Sequence, residues 1–356
     1  MSRILICANT LSGKTTFMYG TFHQMMKGIY GFTLAPKYHF AQFNRQCKRI
    51  GDTRLPLNER FPAPSDRIEA YTFVLKYNLK TIDEIQWIDY PGNLLEEDED
   101  NPDNVRLMEY LSGTDCLFLC VDGSHFNHET KAGILNAIHC DGGGMELNFL
   151  LNRAAADRQT GEDRPLPPVC VIITKYDLVE PDKRREDFLV DILKEEFPIL
   201  FYPAPQGQTR LVSVCPVTLG RDISRGGKLE PRNIEKPFCY LTFLRQAAAL
   251  RQRRQELEQM EEAARRYQKR EESHKRYHRI WQLLTPRSDR PAAEEDIRRM
   301  AADYRCLEED LRRMKGSLQN MALFCNGEQI PWDSLIENGL LMPEKNGQPE
   351  RGAEKG

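Results

Sequence analysis

The chain has 356 residues, 29% of them charged, yet its formal net charge is only −3. That balance argues against a polycationic nucleic-acid coat and against an acidic, self-repelling disordered chain. Hydrophobic residues make up 40%, with 16 Phe, 13 Tyr and 3 Trp, which suits one substantial core plus a second domain or extension. No apolar run approaches the ~18 residues of a membrane span, and MSRILICAN lacks the features of a signal peptide. Ser2 stands where myristoylation requires Gly.

In chain order, strand-like apolar runs fall at 3–8, 69–77, 84–90, 115–122, 168–174 and 210–216. Helical patterns fit between them at 14–27, 102–112, 145–157 and 183–196. CLFLCV and VCVIIT are apolar at every position, as in strands covered on both faces. The order predicts an α/β fold, a mostly parallel sheet with helices on both sides. Residues 69–90 are the exception, two strands across a short link, and predict a hairpin with one antiparallel edge strand. The ten cysteines form no CxxC pair, and five of them sit inside strand-like runs. They read as buried thiols of a reducing, cytoplasmic setting.

Composition changes after Phe243. Residues 245–284 contain no Gly or Pro and read as one long helix, broken by TPRSDRP at 285–291. In a second helix, 293–321, Ile297, Met300, Tyr304, Leu307, Leu311, Met314, Leu318 and Met321 alternate spacings of three and four, an a/d seam. An antiparallel helical hairpin accounts for both segments. Its interleaved Arg and Glu suggest a salt-bridged solvated face rather than an RNA surface. Asn326-Gly327 resembles a two-residue hairpin turn, and the polar tail from about 343 reads as disordered. The expected domains are therefore 1–245, 246–322 (helical hairpin) and 323–356 (short hairpin and tail).

Chemistry begins where the first strand ends. ANTLSGKTT (8–16) reads as a P-loop with Ala8 in place of the first glycine. Asn9, Thr10, Ser12, Gly13, Lys14, Thr15 and Thr16 would cradle phosphates with backbone N–H groups and a helix N-terminus. Lys14 would bridge the β- and γ-phosphates, and the Thr15 hydroxyl would ligate Mg²⁺. At the end of the third strand, Asp89-Tyr90-Pro91-Gly92 matches DxxG. Asp89 would hold Mg²⁺ through a water, and the Gly92 N–H would meet the γ-phosphate. Thr174, Lys175 and Asp177 of ITKYD close the fifth strand in the pattern N/T-K-x-D. A carboxylate there can accept from both N1–H and the 2-amino group of guanine, a donor pair that adenine lacks. Ser213 of SVC (213–215) is the candidate for a short base-contacting loop after the sixth strand.

Together these motifs resemble the P-loop GTPases of the translation-factor and Ras-like (TRAFAC) class, over residues 1–245. The insertions and appended helices look more like the bacterial double-GTPase families of multi-gene conflict systems. The resemblance implies GTP and GDP as ligands, Mg²⁺ as cofactor, and a hydrolysing switch that signals to a protein partner or a second copy through residues 246–322. Asn93 follows Gly92 where Ras-like enzymes carry a water-orienting Gln. Being one methylene shorter, it implies slow or partner-dependent hydrolysis. Thr53 is the candidate switch threonine for Mg²⁺, with Thr33 as its rival. Arg49, Arg54, Arg60 and Arg67 crowd the same stretch, read as solvated charges rather than an arginine finger. His125, His128, His139 and Cys140 match no zinc spacing, and DGGG (141–144) reads as a flexible loop. The alternative function is a catalytically weak pseudo-GTPase serving as a coiled-coil scaffold. An ATP-dependent enzyme fits TKYD poorly.

Overall fold

The computed structural model describes residues 1–63, 67–92, 101–155, 166–203, 209–273 and 294–337. Asn93, the break at 285–291 and the tail from 343 lie outside the described residues. Two compact units emerge, one built on Met1–Leu241 with Leu318–Pro331, the other on Thr242–Ser317 with Trp332–Leu340.

The first unit starts with β1 (Ser2–Cys7), α1 (Lys14–Met25), β2 (Phe32–Pro36), α2 (Phe40–Gly51) and α3 (Leu57–Arg60). β3 (Glu69–Tyr77), β4 (Lys80–Asp89), α4 (Pro102–Ser112), β5 (Cys116–Asp122) and α5 (Lys131–Asn136) follow. After a π turn (Ala137–Asp141) come α6 (Gly144–Ala155), β6 (Val169–Thr174), α7 (Glu186–Glu196), α8 (Pro198–Phe201) and β7 (Leu211–Pro216). The long α9 (Lys236–Ser273) and α10 (Glu294–Lys315) precede β8 (Ala322–Cys325), β9 (Glu328–Gln329) and α11 (Asp333–Glu337).

Among the described residues all nine strands join one sheet in the order β2-β3-β4-β1-β5-β6-β7-β8-β9. β4, β1, β5, β6 and β7 form its parallel centre. The expected β3–β4 hairpin is present, turning through Asn78 (φ 47) and Leu79 (φ 66). Two positive φ values in a two-residue loop match the twist of the flanking strands. The antiparallel part is larger than one edge strand. β2 extends that edge, and β8 and β9 extend the opposite one. Residues 323–356, read from sequence as a separate piece, thus send two strands back to the first unit. The turn at Asn326 (φ 50) and Gly327 (φ 84) has the expected hairpin form. A two-residue strand is too short for periodicity to reveal where it pairs.

The sheet is packed on both faces. On one, Phe17 of α1, Trp87 of β4, Phe118 of β5 and Phe238 of α9 stack with centroids 5.4–6.5 Å apart. On the other, Leu5, Ile88, Leu117 and Leu119 meet Leu107 of α4, Leu147 and Leu151 of α6 and Ile192 of α7. Every residue of β6 is buried, as its unbroken apolar run requires. α9 therefore starts nine residues earlier than composition suggests. Pro237 suits a first helical turn, and Phe238 to Leu241 are buried core.

In the second unit Leu311 and Met314 are buried, while Ile297, Met300, Tyr304 and Leu307 are half-buried. Leu250, Tyr304 and Ile336 line one cleft, and Phe243 stacks edge-on against Trp332 at 5.6 Å. The polar face carries i,i+4 pairs such as Arg254–Glu258, Arg266–Glu262 and Arg312–Glu308. Each such exposed pair is worth about 0.3–0.5 kcal/mol. Among the described residues no helix is long and apolar enough to cross a membrane.

Candidate nucleotide site

Parallel registry brings the C-terminal strand ends level, with Ile6 beside Asp89, Asp122 beside Thr174 and Ile173 beside Pro216. The chain passes from β4 on one side of β1 to β5 on the other. Such a switch point leaves a crevice outside the strand ends. A cleft of about 680 Å³ lies there, lined by residues 9–17, Gly92, Thr174, Lys175 and Asp177, with Leu57, Phe61, Leu219 and Ile223 as apolar walls.

At one end sits the phosphate loop. Ala8 is fully buried and does not take a positive φ, so its Cβ is accommodated. Leu11 does, at φ 66, a conformation that costs an L-residue roughly 1–2 kcal/mol. Gly13 (φ 89, ψ 12) precedes α1, and its carbonyl accepts from the Phe17 N–H at 2.7 Å. Only glycine takes that geometry without strain, and it aims the helix N-terminus into the cleft. The Asn9 side chain donates from Nδ2 to the Asp141 carbonyl at 3.2 Å.

The Thr15 hydroxyl donates to Asp89 Oδ2 at 3.0 Å, and Lys14 Nζ lies 3.9 Å from Asp89 Oδ1. Lys14 and Asp89 are both buried. A hydroxyl and a carboxylate side by side are the hard oxygen donors that suit Mg²⁺, which keeps most of its other positions for water and phosphate. The donor set fits the ion. A Cβ on Gly92 would lie 2.3 Å from the Thr10 backbone nitrogen, so the DxxG turn rests directly on the phosphate loop. Behind it Tyr90 is buried under the Lys14 ammonium, 5.6 Å from the ring centroid. Burial pushes the neighbouring Cys7 thiol up to about 12, so it is a neutral packing group.

At the other end, Thr174 Oγ1 lies 2.6 Å from the Ser12 carbonyl, tying the TKYD loop to the phosphate loop. Lys175, at φ 48, runs its stem past Gly13 and donates to Asp122 Oδ2 at 2.5 Å. Asp177 accepts from the Thr218 hydroxyl at 2.9 Å and from the Asp222 N–H at 3.1 Å. Its carboxylate is oriented before any ligand arrives.

Four expectations are corrected. Ser213 lies inside β7, fully buried, and donates to the Ala322 carbonyl at 2.9 Å. The loop that reaches the cleft starts after Pro216, and Val217 and Leu219 line it. Thr53 is exposed in the turn after α2 and does not line the cleft, and Thr33 is on edge strand β2. Arg60 is a completely buried side chain rather than a solvated charge, whereas Arg54 and Arg67 pair with Asp52 and Glu69. DGGG is close-packed, since a Cβ on Gly143 would meet Asn9 Cβ at 2.7 Å. Among the described residues no His, Cys, Asp and Glu cluster could hold a metal, and His139 pairs with Glu196 at 3.0 Å.

Sequence reasoning missed Asp122, Thr218 and the apolar wall around Phe61. VDGS at the end of an apolar strand is a usable signal for Asp122. Nothing local marks Thr218 or Phe61.

A phosphate loop, a DxxG turn against it and a TKxD loop bordering the same cleft are the motif set of the P-loop GTPases. The chain belongs to the Double-GTPase 2 family, which matches residues 7–202, more than half its length. No curated protein matches the chain. A solved structure of translation elongation factor SelB from Methanococcus maripaludis, in complex with the GTP analogue GppNHp, is similar at 13% identity and a TM-score of 0.27. The similarity covers 64% of this chain, which spans only 30% of that one.

Proposed function

We propose that the protein binds GTP with Mg²⁺, hydrolyses it slowly or on a partner's stimulus, and reports its nucleotide state through the helical unit. The observation that carries this is the single cleft bordered by Lys14, Thr15 and Gly92 at one end and by Asp177 at the other. Backbone N–H groups of residues 9–16 cradle the phosphates, Lys14 meets the β/γ oxygens, and the Gly92 N–H meets the γ-phosphate. Thr15 and Asp89 would hold Mg²⁺, which would supply neutralisation of charge on the phosphoryl oxygens. Asp177, steadied by Thr218 and Asp222, accepts from guanine N1–H and the 2-amino group. Asn93 sets the slow intrinsic rate. The partner, or a second copy, docks on the helices within 246–322. None of the ten cysteines is joined in a disulfide, which supports a reducing, cytoplasmic setting.

The base assignment is tested by Asp177→Asn. Hydrogen bonds to a charged acceptor are worth roughly 1.5–3 kcal/mol each, so GTP affinity should fall by about two orders of magnitude. Xanthosine triphosphate, with a carbonyl in place of the 2-amino group, should gain. Full GTP affinity in the variant would overturn the guanine reading. Phosphate release that stays absent in single-turnover assays, with or without the native partner, would favour the scaffold.

A further inference from the structure

Arg60 is the most unusual charged residue of the first unit, because it is 0% exposed and forms no ion pair with a carboxylate among the described residues. A buried guanidinium is costly to hold unless its donors are used well. Nε and Nη2 donate to the Ile50 carbonyl at 3.1 and 2.7 Å, and Nη2 also donates to the Gly227 carbonyl at 2.8 Å. Ile50 is in the last turn of α2, where carbonyls lack intrahelical partners and a cation is favoured. A helix cap alone would need no reach to Gly227, which lies 167 residues further along the chain.

That second contact leads to the base end of the cleft. The Gly227 N–H donates to the Asp222 carbonyl at 2.9 Å, and the Asp222 N–H donates to Asp177 Oδ2 at 3.1 Å. Three successive hydrogen bonds thus join Arg60 to the carboxylate assigned to guanine. The loop they cross is anchored at its base, where Thr218 and Arg232 exchange backbone hydrogen bonds. The residues following Arg60 belong to the same cleft, which Phe61 and Pro62 line together with Leu219 and Ile223.

We propose that Arg60 is a positioning residue for base recognition, a latch that clamps residues 57–63 to the 219–230 loop and so holds Asp177 in its guanine-reading orientation. The inference rests on the guanine reading above. Opening the latch loosens the base end of the cleft and leaves the phosphate end unchanged. Base binding and movement of residues 57–63 are then coupled, because both close on one guanidinium.

The test uses the full chain, with GDP, xanthosine diphosphate and inorganic tripolyphosphate as probes. Arg60→Met should speed GDP dissociation about tenfold and lower the preference for guanine over xanthine by a similar factor, with tripolyphosphate affinity within about twofold of wild type. Arg60→Lys, which keeps the charge and some donors, should recover part of both effects. A purely structural role would weaken all three probes together and would overturn the proposal. A second measurement needs no variant. In wild type, GDP should slow amide hydrogen exchange in 47–61 and in 219–230 together, whereas tripolyphosphate should protect only the phosphate loop. GDP protection confined to 219–230 would also overturn the latch. A wild type without guanine preference would overturn the guanine reading and the latch with it. A guanine preference that survives in Arg60→Met overturns the latch alone.

Discussion

The two ends of the cleft are built in opposite ways. The phosphate end is one continuous loop, 9–16, shaped by its own backbone dihedrals, with Asp89 and Gly92 brought in by the strand next to β1. The base end is assembled from four distant segments, residues 57–63, 122, 174–177 and 217–227. A local loop keeps its shape while its own residues are intact. An assembled end depends on contacts that a single distant side chain can undo. Variants at the two ends should therefore fail differently.

The largest expected effect is at the phosphate end. Lys14→Ala should reduce GTP affinity by two orders of magnitude or more in calorimetry, and GDP affinity less, because Lys14 is assigned to the β/γ oxygens. An equal loss for both nucleotides would move Lys14 away from the γ-phosphate. Gly92→Ala comes next. Its Cβ would press on the Thr10 backbone at 2.3 Å, and backbone cannot rotate away. Single-turnover hydrolysis should drop about tenfold or more while GDP affinity stays within about threefold. Hydrolysis at the wild-type rate would show that this close approach serves packing only.

Thr218→Val sharpens the contrast at the base end. It removes one of two donors to Asp177 and should cost about 1 kcal/mol, close to a fivefold loss in GDP affinity. Tripolyphosphate binding should not change. A loss shared by tripolyphosphate would mean that the two ends are not independent.

The smallest effect lies behind the phosphate loop, where the Glu196 carboxyl contacts His139 and Asn148. Burial raises its pKa, with His139 acting in the opposite direction. A carboxyl whose folded pKa exceeds the unfolded value contributes stability that is full below the unfolded pKa and is lost as pH rises through the folded one. Glu196→Gln should therefore raise Tm near pH 7 by about 2 °C, and the gain should vanish below about pH 4. A variant less stable than wild type at neutral pH would show that the ion pair with His139 outweighs the burial.

Sequence alone determined the parallel centre of the sheet, since CLFLCV and VCVIIT leave no polar face for solvent. It also determined the phosphate loop, the DxxG turn and TKYD, because each is a short run whose chemistry follows from neighbours in the chain. The seam from Ile297 to Met314 was legible for the same reason, as helical periodicity is a local property. Edge strands β8 and β9 were not, because pairing with β7 is decided by what lies across the sheet edge. Ser213 was misplaced by three residues, since a strand's C-terminal limit depends on its partner, here Ile173 against Pro216. Thr53 looked like a ligand because loop threonines are alike in sequence and differ only in where the loop goes. Arg60 resembled its solvated neighbours until α2 and the 219–230 loop closed around it. Burial and long-range hydrogen bonding are properties of contact, and contact between residues 167 positions apart exists only once the chain has folded.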